Sequence, residues 1–200
     1  MRFSLRSAAV TSCTLLVCLA LPQAANTSRP QADSFAKKLV IIRQHAEVSP
    51  ARPRRTTVTE GEVNSWFIYH APPLLPVGVK DPKVVAIGDG KLSGVVTVDL
   101  EDIGKTRSSG GSLDLWRLLG GKLPISLSGV LRTKDGRGQF ALEAADIAGV
   151  PVPRVLLQEI VSHYTRTDTD PDGVRLDEPF ALPANIKQID VGQGQALVVQ

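Results

Sequence analysis

The sequence predicts an α+β fold, with an antiparallel sheet and two or three substantial helices. Three observations carry this. Apolar residues recur at helical spacing in two segments near the N-terminus and in one beyond residue 150. Between them, two long stretches alternate apolar and polar residues, each centred on an Asp-Gly pair that favours a tight hairpin. Such alternation marks strands with one face buried and one wet. The chain then closes on two short apolar runs around Gly192 and Gly194, with no helix after them.

Residues 1–25 are expected to stand outside this fold, as a secretory signal peptide. Arg2 and Arg6 form a positive n-region, residues 8–21 an apolar h-region, and Ala24 and Ala25 offer a cleavage site. The apolar run falls short of the ~20 residues that span a bilayer. Both cysteines, Cys13 and Cys18, lie within it, so the exported domain folds without disulfides. "VTSC", ending at Cys13, has the look of a lipobox, but most of the apolar stretch follows that cysteine instead of preceding it.

Residues 26–58 read as a basic N-terminal helix and linker. The helix is expected over 33–48, with Phe35, Leu39, Ile42 and Ala46 on one face and Lys38 and Arg43 opposite. From residue 29 to 55, seven basic residues face only Asp33 and Glu47, while the rest of the exported chain is mildly acidic. A basic arm of this kind suits a solvated linker or an anionic membrane surface. Residues 59–200 form the single main domain. Thr59 and Glu62 make a capping box, and Val63, Trp66, Phe67 and His70 follow as a stripe at helical spacing, ended by "APPLLPVGV".

The first hairpin turns at Asp89-Gly90. Leu92, Val96, Val98 and Leu100 share one face; Ser93, Thr97 and Asp99 share the other. The second turns at Asp135-Gly136, with Leu123, Ile125, Leu127 and Leu131 on a face that Phe140, Leu142 and Ala144 continue. Between the hairpins, Leu113, Leu115, Trp116, Leu118 and Leu119 predict a short apolar helix flanked by glycines. Beyond the second hairpin comes a third main helix, with Pro153 near its start and Leu156, Ile160 and His163 on one side.

The chemistry of catalysis is hard to find here. The exported chain has no cysteine nucleophile, no G-x-S-x-G elbow, no H-E-x-x-H and no phosphate loop. His45, His70 and His163 are scattered over three helices, and His163 shows no partner that would make it a base. "DTDPDG" (168–173) opens like a calcium loop, but position 12 is Pro179 where a bidentate acid is needed. Asp, Pro and Gly are also what an ordinary turn uses, so a turn without metal is expected. Nothing suggests nucleic acid: the basic arm carries no interleaved aromatics.

Three segments together resemble a known family. "TEGEVNSW" is similar to a T-x-x-E-x-N helix start; "LSGVLRTKDGRGQFALEAADIAGVPVP" and "EPFALPANIKQIDVGQGQALVV" follow in matching order. The resemblance is to LmeA-like exported phospholipid-binding proteins, and more loosely to the tubular lipid-binding (TULIP) superfamily, over residues 57–200. It implies a strongly curved antiparallel sheet wrapped around one or two long helices. It also implies an apolar groove for acyl chains, a periplasmic or membrane-peripheral location, and no catalytic residue, cofactor or metal.

On that reading Val63, Trp66, Phe67, Leu127, Leu142, Leu156 and Ile160 are the candidate groove residues. Leu115, Trp116 and Leu119 are the candidate membrane contact, since a Trp beside Arg117 suits a bilayer interface, though the same turn would also plug one end of a core. The expected function is binding of phospholipid or another hydrophobic ligand, with peripheral contact to an anionic membrane and no nucleic acid. The alternative is a cell-envelope protein-interaction module with a filled core; a hydrolase of unfamiliar site stands third.

Overall fold

The capping box at Thr59 starts α2 and also anchors α1. The computed structural model describes residues 27–48, 52–102, 121–165, 171–173, 175–176 and 178–200. Helix α1 is Arg29–Ala46, strand β1 Arg55–Thr59 and helix α2 Glu60–Tyr69. Glu62 N donates to Thr59 Oγ1 (3.2 Å) and Thr59 N to Glu62 Oε2 (2.9 Å). The same carboxylate accepts from two side chains of α1: Ser34 Oγ at 2.6 Å and Lys38 Nζ at 2.7 Å. The Phe35 ring meets Trp66 edge-on at 5.9 Å. α1 begins at Arg29, four residues before the expected start, because Pro30 fits a first helical turn, where its missing N–H would have no partner.

The chain is α+β with antiparallel sheets. β2 (Val79–Gly88), β3 (Lys91–Asp99), β4 (Lys122–Lys134) and β5 (Arg137–Ile147) form successive hairpin neighbours, and the short β6 (Val150–Pro151) continues the sheet. Helix α3 (Arg154–Thr165) follows, then β7 (Phe180–Ala181), which pairs with β5. β8 (Gln188–Gly192) and β9 (Gln195–Val199) make a second, three-stranded sheet with β1 in the order β1-β9-β8. Both Asp-Gly turns have two consecutive positive φ values, 52° and 79° at Asp89-Gly90, 49° and 79° at Asp135-Gly136. That is the primed turn whose twist matches the strands.

Those turns dock the large sheet on the small one. Gly90 N donates to Val191 O (3.0 Å) and Gly136 N to Lys187 O (2.9 Å). Thr133 Oγ1 bonds both N and O of Ile189. The best-packed core lies beside this junction: Ile42 of α1, Val58 of β1, Leu182, Ile186 and Val198, with Phe35, Val63 and Ile189 against them. Gln200 locks its end, its Nε2 donating to Ile42 O (2.9 Å) and Ala184 O (2.7 Å). The segment expected as an arm and linker thus contributes Ala32, Ile42 and Val58 to the buried interior.

The expected wrapping of a curved sheet around its helices is not seen in the pairing of the strands. Neither sheet closes on itself, and α2 stands against the outer edge of β2. Asn64 bonds both backbone groups of Val84, each at 2.8 Å. Glu60 Oε2 accepts from Ala86 N (3.0 Å), and Gly194 N donates to Ala86 O (2.8 Å). Polar side chains at two of the helix's positions, Glu60 and Asn64, therefore serve a strand edge.

Candidate functional site

Register decides which residues share the sheet's apolar face. Partners directly opposite in an antiparallel pair point to the same side. Val98 pairs with Val79 and Leu123, Val96 with Ile125, and Leu92 with Ala86 and Gly129. Ile125 pairs with Ile147, Leu127 with Ala145, and Leu131 with Phe140. Gly129 is required here: a Cβ would lie 2.7 Å from the Phe140 ring and 2.5 Å from Ala141 O. The β4–β5 register slips once, with Glu143 bulged between the Ser128–Ala144 and Gly129–Leu142 pairs. Beyond it the faces exchange. Ala145 and Ile147 continue the apolar face, and Ala144, expected there, pairs with Ser128 on the other side. Strict alternation cannot foresee a bulge.

This face is apolar along its length, yet of its side chains only those of Ala86 and Ala145 are buried; the larger ones are half-buried. At one end it abuts the packed core, where the Phe180 ring and Leu182 close over Gly138. At the other end, beside Val79, lies a cleft of about 470 Å³ between the last turn of α2 and the 72–82 segment. Phe67, Leu75, Val77 and Val79 line it. Around it Ile68, Val77 and Leu74 are 53, 57 and 69 % exposed. The prolines at 72, 73 and 76 stop the helix, so these apolar residues fall outside any regular stripe.

The rim of the cleft is charged. Lys80 Nζ lies 2.8 Å from Asp99 Oδ2 and 2.7 Å from Asp102 Oδ2. The hydrogen bonds that Lys80 donates to Asp102 and Asp99 raise the Lys80 pKa, and the one to Asp99 lowers that of Asp99. Asp99 Oδ1 also accepts from the N–H groups of Glu101 and Asp102 at 3.2 and 3.3 Å, an N-cap arrangement.

The structure disperses the predicted groove set. Leu127 and Leu142 lie on the half-buried sheet face, and Phe67 lines the cleft. Val63 packs into the core, and Trp66 sits between Phe35 and Phe67, so both are committed to holding α1. Leu156 is 47 % exposed on α3, while among the described residues of that helix its neighbour Leu157 is buried. The Ile160 and His163 side chains lie outside the described residues, as do Leu115, Trp116, Leu119, Asp168 and Asp170. Leu75, Val77, Lys80, Asp81 and Asp102 were not anticipated. The one signal for them was a run of apolar residues set among prolines, which reads as a helix end and nothing more.

A second cleft, about 620 Å³, lies against α3 and is lined by charges of both signs, including Arg154, Glu159, Asp172 and Arg175. Among the described residues no group of three potential metal ligands comes together, and no helix is long and apolar enough to cross a membrane. His70 Nε2 is 2.8 Å from Asp33 Oδ1 and His45 Nε2 is 2.9 Å from Arg52 O, contacts that tie α1 to its neighbours.

Compared with known proteins, the chain matches no family model, no curated protein and no solved structure. The geometry of the apolar face and the cleft is therefore what a functional reading has to rest on.

Proposed function

We propose that the chain is an exported, non-catalytic binding protein for phospholipid or another hydrophobic ligand, serving the cell envelope as carrier or sensor. Kinship with the LmeA-like and TULIP-like proteins is part of this proposal, as is a periplasmic or membrane-peripheral place of work. So is the finer form of the fold, a strongly curved sheet wrapped around one or two long helices.

One observation carries the reading: a sheet face that is apolar from Val79 to Phe140 runs into an apolar cleft, and among the described residues its larger side chains are only half-buried. Leaving such a surface wet is unfavourable, at roughly 25 cal/mol per Å², and contiguous apolar surface of this kind marks binding sites. A ligand held by apolar area needs no placed polar constellation, gaining ~0.8 kcal/mol for each buried CH₂.

Organic extraction of the exported protein, followed by mass spectrometry, tests this. Phospholipid recovered at near one mole per mole supports the carrier. A clean extract, with binding to an envelope protein instead, would transfer the same face to the interaction-module reading.

A further inference from the structure

The exposed apolar residues around the cleft belong to a pattern that covers one end of the large sheet. β2 starts, β3 ends, β4 starts and β5 ends on the same side: Val79 pairs with Val98, Val98 with Leu123, and Ile125 with Ile147. The opposite side carries the two Asp-Gly turns that dock on the small sheet. At the free end, Ile68, Leu74 and Val77 stand exposed beside the edge strand β2. At the far edge, a tight turn at Ala148-Gly149 (φ 53° and 80°) presents Val150, 66 % exposed. Ala148 N donates to Pro124 O (2.7 Å), which holds that turn level with the start of β4. Leu74, Val77 and Val150 each adjoin a proline, so they stand on stiffened backbone. The start of α1 arrives at the same end. Arg29 Cζ lies 5.4 Å from the centre of the exposed Tyr69 ring, and Asp33 meets His70. The apolar run expected as a signal segment ends at Leu21, seven residues before Ser28, and that much chain reaches at most ~25 Å. The basic residues Arg54 and Arg55 lie elsewhere, on the small sheet: Arg54 exchanges backbone hydrogen bonds with Gln200, and Arg55 pairs with Val199.

We infer that this end of the molecule docks on a lipid bilayer by inserting Leu74, Val77 and Val150, with Ile68 beside them and the Arg29–Tyr69 pair at head-group level. The inference rests on the membrane-peripheral part of the reading above and adds to it the face and the driving force. Three observations select a bilayer as the occupant. The chain enters the fold here, so a leader held in the bilayer delivers this end first. A tyrosine with a cation stacked on it suits the interface, where an amphipathic ring and a snorkelling side chain both find their level. β2 and β6 are four strand spacings apart, ~19 Å, so the apolar residues form separate prongs at the two edges. A fluid surface accepts such prongs; a protein partner needs a contiguous packed centre. Since Arg54 and Arg55 sit on the small sheet, apolar insertion and not attraction to anionic lipid drives the contact. In this pose the cleft beside Val79 opens toward the bilayer, and an acyl chain reaches it without crossing water.

The test exploits the lack of cysteine beyond Cys18. Single variants of the exported chain, Leu74→Cys, Val77→Cys, Val150→Cys and Val95→Cys, are labelled with an environment-sensitive dye and mixed with phosphatidylcholine or phosphatidylglycerol vesicles. Val95 is the control, exposed on the opposite face of the sheet, where it pairs with Ser126. Emission at 74, 77 and 150 should shift to the blue with both lipids, at high salt as at low, and emission at 95 should not move. Leu74→Ser combined with Val77→Ser should lower vesicle partitioning at least tenfold, and Val150→Ser several-fold, with melting temperatures unchanged because these side chains are exposed. Vesicle binding without a shift at 74, 77 and 150 overturns the inference. So does binding to phosphatidylglycerol alone that salt abolishes, which assigns the contact to the basic residues. Blue emission before any vesicle is added also overturns it: independent of protein concentration, it means that the chain's own residues cover this end; growing with concentration, it means that a second copy does. A shift on adding an envelope protein and none with vesicles gives the face to a protein partner. Failure to bind any vesicle overturns the inference, while phospholipid recovered on extraction still keeps the carrier. Docking through these residues by a protein that extracts clean keeps the inference and removes the carrier.

Discussion

Glu62 gathers on one carboxylate two of the polar contacts that join α1 to α2. It is buried, and it accepts from Ser34, Lys38 and the Thr59 backbone. Burial by itself would raise its pKa; the hydrogen bonds from Lys38, Ser34 and Thr59 outweigh that and hold the carboxyl below its ordinary 4.5. A depressed carboxyl pKa stabilises the fold fully above the unfolded value and loses that contribution as pH falls through the folded one. Urea midpoints are therefore expected to decline below pH 4.5, and Glu62→Gln should remove that part of the decline. Glu62→Ala strands a buried lysine contact and a helix cap, and should cost about 2–4 kcal/mol in urea unfolding at pH 7. A loss under 0.5 kcal/mol would show that water replaces the carboxylate without penalty.

Elements here are joined through edges and turns as much as through faces. Asn64 acts as a short substitute strand for β2, satisfying an N–H and a C=O that would otherwise invite pairing with another chain. Asn64→Leu fills similar space and leaves both groups of Val84 without their partner. The expected cost is about 1–3 kcal/mol, with faster hydrogen exchange at the Val84 amide; an unchanged exchange rate would mean that the helix does not guard this edge. Within the sheet, Gly129→Ala drives a methyl into the Phe140 ring and the Ala141 carbonyl. Overpacking against backbone costs about 1–3 kcal/mol, and the melting temperature should fall accordingly. Gly94→Ala, whose nearest contact is an ordinary 3.7 Å to Lys83 O, should be milder.

For the whole molecule, the position of α1 makes the sharpest forecast. A chain beginning at Arg52 lacks Ala32 and Ile42 from the interior and leaves Glu62 without Ser34 and Lys38. It is expected to lose cooperative thermal unfolding by circular dichroism; retention of the full-length transition would return α1 to the status of an appended arm. On export, the first residue found by mass spectrometry should be Asn26 or a close neighbour, and a lipid on Cys13 or Cys18 would make the protein a lipoprotein instead. Several features were determined by the sequence alone, because each depends on residues close together in the chain. The Thr59–Glu62 capping box is one. The two Asp-Gly turns with their long alternating strands are another, and the terminal β8–β9 hairpin and the third helix follow the same rule. Only the tertiary structure decided the rest. Ala144 left the apolar face because of a single bulged residue, and Val63 and Trp66 were claimed by α1. Phe67 was legible as apolar, but the cleft it lines comes from a proline-bound segment folding back beside α2. The charge at that mouth comes from the β2–β3 register, which sets Lys80 against Asp99, nineteen residues away. Local sequence fixes turns and periods through short-range sterics and capping; which half-apolar surfaces meet, and which stay open, depends on contacts between distant segments that no local pattern encodes.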